Sequence, residues 1–166
     1  MKLPRLKTVL ITVLILFAAL YAFGAVSLAL RDDSIAILEG PAASFETIAI
    51  FGASGTTGDG ILKAALAAQE IEKIHVITRR LTPRIEEGVA SGKVQVTEHM
   101  DYLDYSAIEE QFADVDAVFW AIGVSARGVD EETYRMIHTA FPRQFVETWV
   151  KVSNKPDISF HFISSS

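Results

Sequence analysis

The sequence has 166 residues, half of them hydrophobic, and a formal net charge of −6. That length supports one globular domain at most once a membrane segment is set aside. The acidic balance, without a dense basic run, argues against a nucleic-acid surface. The absence of cysteine removes disulfides, thiolate metal sites and cysteine nucleophiles together. Four histidines (His75, His99, His138 and His161) lie far apart and show no metal-ligand spacing, so no metal is expected.

In chain order, Lys2, Arg5 and Lys7 come first, followed by an uncharged run of 23 residues from Thr8 to Leu30. Roughly 20 apolar residues cross a bilayer core, whereas the apolar part of a signal peptide usually spans only about 7–15. Residues 1–31 therefore read as an uncleaved single-pass membrane anchor in contact with lipid. A signal peptide cut near Ala25-Val26-Ser27 is the alternative. Orientation stays open: three basic residues before the span against Arg31 after it place the following domain outside, but the bias is small. Residues 32–46, with Asp, Ser, Glu, Gly and Pro41, read as a linker.

The domain proper, residues 47–166, opens on a short apolar strand, Thr47–Phe51. The turn Gly52-Ala53-Ser54-Gly55-Thr56-Thr57-Gly58 follows, then a helix from about Thr57 to Gln69. One glycine permits the tight turn, one lets backbone approach a pyrophosphate, and one lets helix and strand pack closely. The helix start supplies unpaired N–H groups and a positive dipole end to phosphate. No Lys-Ser/Thr follows Gly58, which excludes the phosphate loop of nucleoside triphosphatases.

A second strand, Lys73–Thr78, ends in Arg79-Arg80. An NAD site would place Asp or Glu about 20 residues past the glycines, to hold the ribose hydroxyls. Arg79 stands 21 residues past Gly58 instead, and paired guanidinium groups suit a 2′-phosphate. NADP(H) is therefore expected ahead of NAD(H). Leu81–Gly92 reads as loop or short helix, and Val94–Glu98 as a third strand.

Tyr105–Phe112 reads as a short helix, with Ser106 as its cap. Asp116–Gly123 is a near-continuous apolar run, the pattern of a strand buried on both faces, with Trp120 in the core. Glu131–Val152 is helical in composition, but Pro142 should break or kink it near Ala140–Phe141. A fifth strand, Ile158–Ile163, runs into Ser164-Ser165-Ser166. The alternation predicts an α/β, Rossmann-like, largely parallel sheet of order 3-2-1-4-5 with helices on both faces. That order sets the glycine turn at the switch point, where ligands bind.

Taken together, the glycine turn, Arg79-Arg80, Asp101-Tyr102, the run Asp116–Gly123 and Phe162-Ile163-Ser164-Ser165 resemble the atypical short-chain dehydrogenase/reductases. Within these the chain is most similar to the small NAD(P)H-binding oxidoreductases of the Tat-interacting protein group. The resemblance covers about Ile48 to Ser166. It implies that Gly52, Ala53, Ser54, Gly55, Thr56, Thr57 and Gly58 cradle the pyrophosphate and that Arg79 and Arg80 take the 2′-phosphate. It further implies that Asp101 and Tyr102 lie by the adenine and that Ala121, Ile122 and Gly123 border the nicotinamide-side ribose.

The family's catalytic serine follows the fifth strand, which points to Ser165 or Ser166. Its Tyr-x-x-x-Lys pair has no counterpart here. Four residues beyond Tyr21, Tyr102, Tyr105 and Tyr134 stand Ala25, Ser106, Glu109 and His138. The sequence thus reads as the cofactor-binding half of an oxidoreductase. The alternatives are a non-catalytic module that binds or senses NAD(P), and a truncated gene product without activity.

Overall fold

The computed structural model describes residues 6–29, 45–125 and 127–163. By contact it divides into two units, 1–42 and 43–166, and the first holds one described element. Helix α1, Leu6–Ala29, forms where the apolar run predicts it. Among the residues described in full, which take in only part of α1, no helix is long and apolar enough to cross a membrane. The helix is thus observed, and the bilayer is not. Most of the linker, 32–46, lies outside the described residues, as do Ser164, Ser165 and Ser166.

The second unit is a five-stranded, wholly parallel sheet in the predicted order β3-β2-β1-β4-β5. Its strands are β1 (Thr47–Phe51), β2 (Lys73–Thr78), β3 (Val94–Glu98), β4 (Ala117–Trp120) and β5 (Ser159–Phe162). Helices α2 (Thr56–Ala67), α3 (Pro83–Ala90), α4 (Glu131–Arg135) and α5 (Phe141–Val152) provide the helical layers. β1 sits centrally, and Ile48, Ala49, Ile50 and Phe51 are all fully buried, as an apolar run without alternation demands.

Alternate β1 side chains build the two cores. Ile48 and Ile50 join Ile74, Val76 and Ala117 beneath Leu62 and Ala65 of α2 and Ile85 of α3. Ala49 and Phe51 join Ile77, Val118 and Trp120 beneath Phe145 and Trp149 of α5. This second core is largely aromatic. Phe51 lies 4.6 Å from Trp120 and 4.5 Å from Phe145 between ring centroids, so the centre of the sheet is fixed by interlocking rings.

Three expectations need correction. The segment Tyr105–Phe112 is not an α-helix capped by Ser106: only Glu109–Phe112 is helical, and as a 3-10 turn. Asp104 Oδ1 accepts the Ser106 N–H at 2.9 Å, which makes a local turn in place of a cap. The fourth strand is shorter than Asp116–Gly123, and Ala121–Gly123 have left the strand. The fifth spans Ser159–Phe162 rather than Ile158–Ile163. The proline break, by contrast, falls as expected: α4 and α5 are separated by a π turn, Met136–Ala140, with Pro142 in the first turn of α5.

One core residue changes protonation between neutral and acid pH. His75 of β2 is buried, and burial, helped by Lys73, lowers its pKa to about 4. The unfolded chain therefore binds this proton more readily than the folded one. The contribution of neutral His75 is complete above about pH 6.5 and is lost as pH falls toward 4, on the order of 3 kcal/mol in all. Urea titrations between pH 7 and 4 should show that decline, and His75→Leu should flatten it.

Candidate functional site

The site begins with the turn after β1. Gly52 has φ +79°, a left-handed conformation that side chains disfavour. A Cβ there would also stand 2.7 Å from the Ala121 carbonyl oxygen. Gly55 N–H donates to Gly52 O at 3.0 Å, and Gly55 O accepts from Asp59 N at 2.8 Å, which turns the chain into α2. At Gly58 a Cβ would be driven into the Gly52 carbonyl, with Ala53 Cα at 2.8 Å. Two glycines therefore serve packing within the protein.

Gly55 differs. It is exposed, and a Cβ there would meet only Gly52 O, at 3.4 Å. It occupies the cap position of α2 with extended backbone and makes no side-chain cap bond. Helix N–H groups at Thr56, Thr57 and Gly58 are thus left for an outside acceptor, at the positive end of the helix dipole. An open glycine before an uncapped helix start fits a pyrophosphate.

The parallel sheet gathers the remaining candidates at one edge. Gly52 follows β1, Arg79 follows β2, Asp101 lies just beyond β3 and Ala121 follows β4, all at carboxyl ends of strands. Hydrogen bonds continue one residue past the strands, from Ala121 N to Phe51 O and from His99 N to Thr78 O, each at 3.0 Å. Ala121 and Ile122 are half-buried and Gly123 is exposed. Arg79 and Arg80 are exposed, and Arg80 Nη2 donates to Ser54 O at 3.3 Å, so this guanidinium flanks the glycine turn.

Thr78, which sequence reasoning passed over, shapes that corner. It is buried, its hydroxyl donates to Arg80 O at 2.8 Å, and the same oxygen accepts Arg80 N–H at 3.2 Å. Its only sequence signal is a threonine directly before the arginine pair.

Asp101 is exposed, with Oδ1 accepting Leu103 N–H at 2.9 Å. Tyr102 follows it in sequence and turns its ring inward. Its ring is buried, 5.4 Å from Phe141 and 6.3 Å from Trp120 between centroids. Burial pushes its phenol up, against the smaller opposing pull of Arg79. Tyr105 is likewise buried, and burial, with smaller effects from Tyr102 and Asp101, raises its phenol well above the usual range. Among the described residues, no three of His, Cys, Asp and Glu are grouped to hold a metal ion.

A family model described as NAD(P)H-binding matches residues 52–155, from the glycine turn through α5. The chain belongs to this NAD(P)H-binding family. A comparison with curated proteins finds no match. Among solved structures, this NAD(P)H-binding domain is similar to the KRED1-Pglu enzyme, with a TM-score of 0.60 and 20% identity over 73% of this chain and 57% of that one.

It is also similar to a UDP-glucuronic acid 4-epimerase from Bacillus cereus in complex with NAD. There the TM-score is 0.57 and the identity 20%, over 72% of this chain and 40% of that one. A short-chain dehydrogenase from Streptomyces avermitilis gives 0.56 and 20%, over 72% and 50%. At these identities the likeness establishes the fold alone, a Rossmann-like parallel α/β sheet. The chain spans 40% to 57% of the length of these three structures.

Proposed function

We propose that this domain holds NADP(H) in preference to NAD(H). The observation that carries the reading is the arginine pair after β2, with Arg80 bonded to the glycine turn at Ser54 O. A 2′-phosphate at that corner would meet two cations, where an NAD site would offer a carboxylate. Gly55 and the open N–H groups of α2 take the pyrophosphate, Asp101 lies on the adenine side, and Ala121–Gly123 border the nicotinamide-side ribose. When bound, the cofactor supplies or accepts a hydride.

Titration of the purified full chain tests this. NADPH should bind roughly ten- to a hundredfold more tightly than NADH, the effect of one or two charge-assisted hydrogen bonds. Arg79→Ala with Arg80→Ala should close most of that gap. Equal affinity for the two cofactors in the unsubstituted protein would remove the arginine assignment.

Two activities follow from such a site. In the first, the chain is the cofactor-binding half of an oxidoreductase, with Ser165 or Ser166 contributing to catalysis. In the second it binds or senses NADP(H) without turnover. The family and the fold support the first, although neither Tyr102 nor Tyr105 supplies its acid/base group. An acid/base tyrosine needs a lowered pKa and access to substrate, and Tyr102 and Tyr105 have neither. NADPH oxidation by the chain against a panel of aldehydes and ketones separates the two.

The uncharged run Thr8–Leu30 supports a membrane anchor, because its 23 residues exceed the bilayer requirement of roughly 20. Expression in cells followed by carbonate extraction should leave the full chain in the membrane pellet. Release into the supernatant would overturn the anchor.

A further inference from the structure

The helical segment between β4 and β5 changes pitch beside the site. Pro142 has no N–H to give to the carbonyl of His138, four residues back, and its ring would crowd that oxygen. The chain forms a π turn instead, in which Phe141 N–H donates to Met136 O, five residues back. His138 rides on this turn toward the end of β4.

Its Nε2 stands 3.0 Å from Val124 O and 3.3 Å from Val124 N. A neutral imidazole serves either group, as donor in one tautomer and as acceptor in the other. The ring stacks on Tyr134, with centroids 4.2 Å apart, and meets the edge of Phe162 at 6.4 Å. A Cβ added at Gly123 would lie 3.2 Å from His138 Cε1. The imidazole thus occupies the room that a side chain at position 123 would need, and it holds the main chain immediately after it. It also bridges the carboxyl ends of β4 and β5.

We infer that His138 is a positioning residue for the nicotinamide end of the cofactor, acting through its clasp on Val124 and its packing against Gly123. The inference rests on the assignment of Ala121–Gly123 to that end. Without the clasp, the loop after β4 would lose one anchor, while the corner formed by Gly55, Arg79 and Arg80 would keep all of its contacts. Loss of His138 should therefore be felt by the nicotinamide half of a dinucleotide and not by the adenosine half.

The test compares NADPH with 2′,5′-ADP, which carries the 2′-phosphate but no nicotinamide, on the full chain by calorimetry. In His138→Phe the ring and its stacking on Tyr134 remain and only the nitrogens go. NADPH should weaken about tenfold, with 2′,5′-ADP changed less than twofold. His138→Gln, whose amide offers both a donor and an acceptor, should recover most of the loss.

Gly123→Ala provides a second route, since its Cβ would lie 3.2 Å from His138 Cε1 and the imidazole would have to give by a few tenths of an ångström. It should show the same selective loss, and if His138→Phe fails to fold, His138→Leu, which also lacks the ring nitrogens and leaves Gly123 unchanged, decides the question by the same comparison. Equal weakening of both ligands, or no weakening in either variant, would overturn the inference while leaving the cofactor site standing. Failure of the unsubstituted chain to bind either NADPH or NADH would instead remove the dinucleotide site and the inference with it.

Discussion

Gly58→Ala is expected to destabilise the domain by about 2–4 kcal/mol and to abolish cofactor binding. The added methyl enters the Gly52 carbonyl, with Gly52 C at 2.5 Å and Ala53 Cα at 2.8 Å. All three obstacles are main chain, so no side-chain rotation relieves the clash, and α2 must move off β1. Two other glycines of the same region calibrate the result. At Gly60, inside α2, nothing lies within 4 Å of an added Cβ. Gly60→Ala should therefore stabilise by about 0.5–1 kcal/mol, through helix propensity alone. Gly55→Ala meets only Gly52 O at 3.4 Å, so its melting temperature should stay near that of the parent while dinucleotide affinity falls. Thermal melts with and without NADPH check all three. A Gly58→Ala protein that melts and binds like the parent would refute the packing role.

The second large effect is expected at Asp116, far from the glycine turn. Its Oδ2 accepts N–H bonds from Thr47 at 2.8 Å and Glu46 at 3.0 Å, and its Oδ1 pairs with Lys155 Nζ at 2.9 Å. One side chain thereby ties together the starts of β1 and β4 and the segment leading into β5. Burial pulls this carboxyl's pKa upward, but Lys155 and the two N–H donors outweigh it and hold it below the usual carboxylate range.

Its contribution is therefore present above the unfolded carboxyl's pKa and is lost as pH falls through the lower folded value. Asp116→Ala removes three charge-assisted partners from a mostly covered group, at an expected cost of about 2–4 kcal/mol. Asp116→Asn, which keeps one acceptor oxygen, should lie between the two. Denaturant titrations at pH 7 measure the series. If Asp116→Ala unfolds at the parent's midpoint, the tie is ornamental.

Much of the architecture could be read from the residues because parallel strands bury both faces and announce themselves as apolar runs. β2 and β3 begin and end where the sequence reading sets them, and Arg79-Arg80 follows from the end of β2. β4 was harder, since Ala121 and Ile122 are apolar and half-buried without belonging to the strand. Composition reports burial, and a strand end is set by its partners.

The position of Tyr102 was not readable at all. Whether its ring faces the crevice or the core depends on Phe141 and Trp120, which are distant in sequence and meet it only in the folded chain. Ser106 failed as a cap because no helix starts beside it: the helical turn begins only at Glu109, with Ile108 at its cap position. Pro142 marked the helix break, but its chief consequence, the π turn that delivers His138 to Val124, needs three-dimensional register. Local pattern locates elements; contacts between elements decide what side chains do.

The Asp116 tie also has a kinetic side. The partners Thr47 and Asp116 lie 69 residues apart in sequence, and closing a loop of that size costs on the order of 4 kcal/mol in chain entropy. β1, β2 and β3 can assemble through their own short crossovers, yet β4 must return across the whole intervening chain to meet β1 before β5 can join β4. Folding of this sheet is thus expected to be limited by one long-range encounter, and the carboxylate that secures the joined strands acts mainly as a brake on their separation.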